Sequence, residues 1–170
     1  MAYIVKIRKD EHAESPRNDD NIGIMACFHR RYNLGDSDKP DIETVQKIER
    51  SPDYISLPLY LYDHSGLTIS TKPFSCPWDS GRLGLIYVKR DDVIDLQDER
   101  VLEILRSEVE IYDQYLRGDI YGYELIRTED DGAEITEDSC WGFYGSDPDV
   151  NGMAAFIGQD IMSAAEVYVQ

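Results

Sequence analysis

Apolar and polar residues alternate from Tyr3 to Arg8. This predicts a first strand, because successive side chains of a strand face opposite ways. The polar stretch Asp10–Asn21, containing Pro16, predicts a loop, and the short apolar run Ile22–Phe28 around Gly23 predicts a buried strand. Asp41 is placed to cap a short helix, since its carboxylate can accept a bond from a free first-turn amide. Ile42, Val45 and Ile48 then share one face until Ser51-Pro52 ends it. Ser56–Tyr62 and Leu67–Thr71 flank Asp63-His64-Ser65-Gly66 and predict a hairpin; Arg82–Val88 predicts a further strand.

The clearest helical pattern runs from Asp98 to Arg117. Val101, Leu105, Val109, Tyr112 and Leu116 form an apolar stripe, widened by Leu102, Ile104, Ile111 and Tyr115, and Gly118 supplies the stop. The opposite face holds Glu99, Glu103, Glu110 and Asp113, with Arg106 placed to pair with Glu110 and Arg117 with Asp113. Asp119–Thr128 and Glu137–Tyr144 read as strands joined by the turn Glu129-Asp130-Asp131-Gly132. A last helix is predicted from about Val150 to Val167, weakened by Gly152 and Gly158. Strands outnumber helices and most connections read as hairpins. The expected class is therefore α+β: a single domain over residues 1–170, mainly antiparallel sheet, with one long amphipathic helix and a C-terminal helix.

Charge changes this picture more than composition does. The chain has 170 residues and is 42% hydrophobic, enough for one substantial core. Residues 1–90 carry 13 acidic and 13 basic residues, whereas residues 91–170 carry 21 acidic against 4 arginines, which is the whole net charge of −17. Such a surface does not bind nucleic acid directly by neutralising phosphates; it suits a partner built to hold nucleic acid. Solubility or salt adaptation would also give acidity, but Lys6, Lys9, Lys39, Lys47, Lys72 and Lys89 all persist in the first half. No run of about 18 apolar residues is present, so no membrane association is expected. The start of the chain is too short and polar for a secretory signal. Three scattered cysteines, Cys27, Cys76 and Cys140, suit reduced thiols, and the expected location is the cytoplasm.

Three stretches are dense in polar and aromatic groups: Cys27–Asp36, Asp63–Gly66 followed by Phe74–Arg82, and Asp138–Gly145. Through them the chain resembles a family of small proteins from bacteriophages, prophages and haloarchaeal viruses. The shared motifs begin with Ser15-Pro16-Arg17 and Asp20-Asn21, followed by His29-Arg30-Arg31-Tyr32-Asn33-Leu34-Gly35-Asp36. Leu59-Tyr60-Leu61-Tyr62-Asp63-His64-Ser65-Gly66, Ser75-Cys76-Pro77-Trp78-Asp79-Ser80-Gly81, Tyr112-Asp113-Gln114-Tyr115-Leu116 and Ser139-Cys140-Trp141-Gly142-Phe143-Tyr144-Gly145 complete them. The likeness spans about Glu11 to Gly145 and implies an origin in a virus or mobile element.

Among these residues His29, His64, Cys76, Asp79 and Cys140 are the possible nucleophiles, bases or ligands. A cysteine nucleophile needs a base in hydrogen-bond reach; His64 or His29 would serve Cys76, with Asp63 or Asp79 orienting the ring. The competing expectation makes Cys76 and Cys140 packing residues and His64 a turn residue. Close ligand pairs such as CxxC are missing, so no metal and no cofactor is expected. Arg17, Arg30, Arg31 and Arg82 either converge on an anion, with Trp78 and Tyr32 stacking on a base, or pair with the protein's own carboxylates. Trp78 and Trp141 are expected to be core aromatics.

Asp91, Asp92, Asp95, Glu99, Glu103 and Glu110 form a candidate partner-binding row. Glu99, Glu103 and Glu110 are about 6 and about 10 Å apart along the helix, a crude imitation of strand phosphates. The leading expectation is a non-enzymatic accessory protein that binds and inhibits a basic, nucleic-acid-binding host protein, such as a defence component. The alternative is a small enzyme or ligand-binding protein with a Cys/His/Asp site. The pattern assigns no oligomeric state.

Overall fold

The alternation at Tyr3–Arg8 becomes strand β1 (Ala2–Lys9), and the rest of the chain follows with β2 (Ile24–Cys27), α1 (Ile42–Arg50), β3 (Tyr54–Asp63), β4 (Leu67–Ser70) and β5 (Ser80–Lys89). After these come α2 (Asp98–Leu116), β6 (Ile120–Thr128), β7 (Glu134–Tyr144), α3 (Met153–Ile157), α4 (Gln159–Ala164) and β8 (Glu166–Val169). Single 3-10 turns lie at Pro16–Asn18 and Arg90–Val93. The structure is a computed structural model that describes residues 2–170. The class is α+β, with antiparallel-rich sheets and one long helix. Contacts divide the chain into two units, one from the first 14 residues with Gly118–Gln170, the other Ser15–Arg117.

In the first unit the strand order is β7-β6-β1-β8. β1 is antiparallel to β6, from Ala2 opposite Thr128 to Lys9 opposite Tyr121. Val5 and Ile7 of β1, Tyr123 and Leu125 of β6, and Phe143 of β7 form its core with Met153 and Ile157. The C-terminal expectation needs correction. Residues 150–167 do not form one helix: α3 ends at Gly158, whose φ of +96° is incompatible with helix continuation, and α4 follows separately. Val167 then lies in β8, parallel to β1, with Ile4 opposite Glu166 and Ile7 opposite Val169. The reason is tertiary: an open sheet edge offers backbone partners to a Val-Tyr-Val segment with strong strand preference.

In the second unit the order is β2-β5-β3-β4, all pairs antiparallel. Alternation along the strands separates two apolar faces. Met25, Leu59, Leu83 and Ile86 face α2, whose Val101, Leu105, Val109 and Tyr112 are buried as their spacing predicts. Ala26, Leu85 and Tyr87 face α1 through Val45 and Ile48, whereas Ile42 stays exposed. Asp41 caps α1, accepting a bond from the Thr44 amide at 2.9 Å. Each aliphatic side chain so buried contributes about 1.5–3 kcal/mol.

A buried ionic cluster joins four parts of this unit. The Arg17 side chain is 4% exposed. Its Nε and Nη2 donate to Asp36 Oδ1 and Oδ2 at 2.7 and 3.1 Å, Nη1 to Glu108 Oε2 at 3.0 Å, and Nη2 to the Gly23 carbonyl at 2.6 Å. Glu108 Oε1 accepts from the Ile22 amide at 2.8 Å, and Asp36 Oδ2 from the Met25 amide at 2.8 Å. Burial alone would depress the guanidinium, but the hydrogen bonds and charges of Asp36 and Glu108 outweigh it and hold Arg17 above its ordinary value. Replacing one partner strands the others as uncompensated charges. Arg17→Met should therefore destabilise the fold by about 3–5 kcal/mol in urea unfolding, while Arg31→Met, which removes an exposed pair, should cost about 0–1 kcal/mol.

Candidate functional site

The Ser15–Arg117 unit holds two of the three distinctive stretches and brings them to one surface. Phe28 donates its amide to the Leu83 carbonyl at 2.8 Å, after which the chain leaves the sheet edge. It returns at Asp36, whose amide donates to the Met25 carbonyl at 2.8 Å. Gly35 makes that return possible: its φ is +73°, and a Cβ there would stand 2.3 Å from the Met25 carbonyl oxygen. Residues 29–33 form the tip of this loop. His64 sits in the three-residue turn between β3 and β4, where Asp63 opposes Leu67. Residues 71–79 lead from β4 to β5 and carry Phe74, Cys76, Trp78 and Asp79. The Asp63 amide donates to the Asp79 carbonyl at 2.8 Å, continuing the β3–β5 ladder and placing that loop beside the hairpin turn.

Asp79 is the centre of the side-chain contacts. Its Oδ2 meets His64 Nδ1 at 3.1 Å and Cys76 Sγ at 4.0 Å. Tyr62 stacks with His64 on one side and Phe74 on the other, at ring separations of 6.0 and 5.6 Å. Ser80 Oγ donates to the Cys76 carbonyl, which holds the loop closed. On the opposite wall Arg31 Nη2 and the Tyr32 hydroxyl both donate to Asp63 Oδ2, at 3.0 and 3.2 Å. His29 stacks on Tyr32 at 5.0 Å, and its Nδ1 accepts the Arg31 amide at 3.2 Å. A cleft of about 330 Å³ runs between these walls, lined by His29, Arg31, Asp63, Trp78, Asp79 and Arg82.

His29, His64, Cys76 and Asp79, drawn from three separate segments, thus lie on one surface. Cys140 lies in the other unit, on β7 opposite Tyr123. The arrangement differs from a nucleophile–base–orienter series in one respect. The carboxylate that meets the imidazole also meets the sulfur, through the same oxygen, so the imidazole is not interposed between thiol and carboxylate as a base would be. What the geometry provides is an imidazole anchored at Nδ1, with Nε2 facing outward. Among the described residues no group of three or more His, Cys, Asp or Glu is arranged to hold a metal ion.

Three of the four candidate anion-binding arginines are engaged internally: Arg17 as above, Arg31 with Asp63, and Arg82 Nη2 with Glu49 Oε1 at 2.5 Å. Trp78 is the main departure from expectation. It is 91% exposed, and Trp141 is 44% exposed, so neither is a core aromatic. Trp78 stands between Pro77 and Asp79 in a strand-to-strand loop, and that loop context was the available signal.

Asp91, Asp92, Asp95, Glu99, Glu103 and Glu110 are all exposed, in the Arg90–Val93 turn, the segment after it and α2. Asp91 pairs with Lys89 at 3.1 Å and Glu103 with Arg100 at 3.0 Å. Among the described residues Asp92, Asp95, Glu99 and Glu110 have no ion pair. The predicted Arg117–Asp113 pair forms at 2.9 Å, but no ion pair joins Arg106 to Glu110. Glu99, Glu103, Arg106 and Glu110 lie within about 60° of one another around the axis, so a cation interrupts the row. Glu108, which sequence reasoning left unassigned, points inward to Arg17.

No known protein family, no curated protein and no solved structure matches the chain in the comparisons made. Among the described residues no helix is long and apolar enough to cross a membrane.

The three thiols differ in environment. Burial pushes Cys27 up from 9.0 to about 12, with smaller influences from Lys39, Asp36 and Arg17, whereas Cys76 and Cys140 are half-buried. In the native protein an aromatic disulfide reagent should label two thiols quickly and Cys27 only on unfolding; Cys27→Ser should leave the fast count unchanged. Because the folded-state value is raised, this group leaves stability flat below pH 9.0, and stability then falls as pH rises towards about 12. Alkaline melts of the wild type and Cys27→Ala should separate over that window.

Proposed function

We propose that the protein is an accessory protein of a virus or mobile element, whose acidic surface binds and blocks a basic, nucleic-acid-handling protein in the host cytoplasm. The observation that carries this reading is the run of exposed carboxylates from Asp92 to Glu110, of which Asp92, Asp95, Glu99 and Glu110 have no ion pair among the described residues. Unpaired carboxylates facing water retain their field, and a basic groove built for phosphates supplies the complementary charge. Asp91 and Glu103 contribute less, since Lys89 and Arg100 already screen them. The resemblance to viral proteins adds to this reading, because such proteins meet host nucleic-acid machinery.

The test is capture of host proteins by the wild type and by Glu99→Gln/Glu103→Gln/Glu110→Gln, at about 50 and about 200 mM salt. The expected result is retention of a nucleic-acid-binding protein by the wild type. Retention should weaken at least about tenfold in the variant and at the higher salt. The wild type should also displace nucleic acid from that protein, and the variant should not. Equal capture by both forms would end this reading.

A second reading, a small ligand-binding protein or enzyme, is favoured by the convergence of His29, His64, Cys76 and Asp79 beside the exposed Trp78. On that reading His64→Ala removes function while the triple Gln variant keeps it.

A further inference from the structure

We propose that the surface shared by the residue 29–33 loop and the residue 71–79 loop binds a nucleoside 5'-phosphate, with the base on Trp78 and the phosphate towards Arg30 and Lys39. This rests on the second reading above and is independent of the acidic face.

Two clefts meet there. The first is the 330 Å³ cleft of Trp78, Asp79 and Asp63. The second, about 610 Å³, is lined by Phe28, Arg30, Asn33 and Lys39 among others. His29 and Arg31 line both, so the clefts are neighbours on either side of these two residues, and each is of a size that holds a small molecule. Their chemistry differs in a way that matches the two ends of a nucleotide.

The first cleft offers a flat aromatic face and carboxylate acceptors. Trp78 is 91% exposed although its loop is tied down at Ser80–Cys76 and Asp79–Asp63. A large ring held in water by an ordered loop gains from any planar partner laid on it. Among the described residues the side-chain hydrogen bonds of Asp63 and Asp79 run through Oδ2; Oδ1 of each can accept from ring and exocyclic N–H groups of a base.

The second cleft offers donors and positive charge. Arg30 and Lys39 have no ion pair among the described residues, in a chain with 34 acidic and 17 basic residues, and no carboxylate lines this cleft. Lys39 Nζ is aimed by a bond to the Leu34 carbonyl at 3.0 Å and stands 5.9 Å from the centre of the Phe28 ring, and an ammonium with three protons can still donate to a ligand. The Arg31 amide donates to His29 Nδ1, so in the neutral ring the proton sits on Nε2, a further donor. Arg31 itself is 70% exposed and can exchange its Asp63 contact for a phosphate oxygen. A plain sugar would use the Trp78 side without the cations, and inorganic phosphate would use the cations without Trp78. A base and a phosphate joined by ribose use both.

The experiment is calorimetric titration of the full chain with AMP, GMP, guanosine, ribose 5-phosphate and a 5'-phosphorylated single-stranded oligonucleotide. The expected result is saturable binding of a mononucleotide with Kd below about 1 mM. Guanosine and ribose 5-phosphate should each bind at least about tenfold more weakly. Trp78→Ala should lose at least about tenfold in mononucleotide affinity. Arg30→Ala/Lys39→Gln should lose about tenfold for the mononucleotide and under about twofold for guanosine. Thermal melts of both variants matching the wild type confirm that the fold is retained. Oligonucleotide binding tighter than mononucleotide binding assigns the ligand to a nucleic-acid strand; equal binding assigns it to the free nucleotide. Ribose 5-phosphate binding as tightly as AMP and GMP overturns the nucleotide assignment and leaves a ligand-binding cleft. Binding unchanged in Trp78→Ala overturns it as well. Failure of all five titrants overturns both.

Discussion

Arg17 is the constraint on which the Ser15–Arg117 unit depends. From the Pro16–Asn18 turn one guanidinium reaches the residue before β2, the returning end of the residue 29–33 loop and the middle of α2. Burying a charge without full compensation is expensive, so the partners are confined to the geometry in which each nitrogen and oxygen is met. Apolar packing would tolerate a shift of the loop by a fraction of an ångström; a bidentate pair does not. Tyr112 adds to the hold, since its hydroxyl accepts the Gly35 amide at 3.0 Å. The Ser15-Pro16-Arg17 and Leu34-Gly35-Asp36 segments thereby serve the architecture. Arg30, Arg31, Trp78 and His64 are left exposed, with no comparable structural duty.

The charge of the chain divides along a line that the half-and-half count does not reveal. Residues 118–170 hold 12 acidic residues and a single arginine, and they belong to the unit that contains β6 and β7. Within the Ser15–Arg117 unit the acids of α2 are interspersed with Arg100 and Arg106, while Arg30 and Lys39, which have no ion pair among the described residues, lie on the residue 29–39 excursion. Opposite signs on separate elements of one unit give it two surfaces with different preferences. A protein-binding reading and a small-ligand reading therefore do not compete for the same residues.

Much of the fold was legible because its signals are local. Alternation marks β1, β3 and β5, the 3.6-residue stripe marks α2, and Asp41 marks the start of α1. The C-terminal segment was not, since whether Val167 continues a helix or joins a sheet depends on β1, far away in the chain. The site was legible only as a set of separate fragments. Nothing local to Asp63 or Asp79 announces that they are neighbours; that follows from the β3–β5 register. The Arg17–Glu108 pair spans most of the chain, and Glu108 differs from its neighbours on α2 only in facing inward. Trp78 carried a misleading signal, because a tryptophan beside proline is as suited to a core corner as to an exposed loop.

The order of the strands also bears on how the chain is made. β1 finds its antiparallel partner only in β6 and its parallel one only in β8, so Lys9 waits for Tyr121 and Ile4 for Glu166. The Ser15–Arg117 unit has its own sheet and helices, none of them borrowed from later residues. On a ribosome that unit is free to fold first. β1 meanwhile lacks its sheet partners, and Val5 and Ile7 lack their core, until β6 and β8 have been made. Such a discontinuous sheet has high contact order and assembles slowly, so chaperones and proteases meet β1 before its partners do.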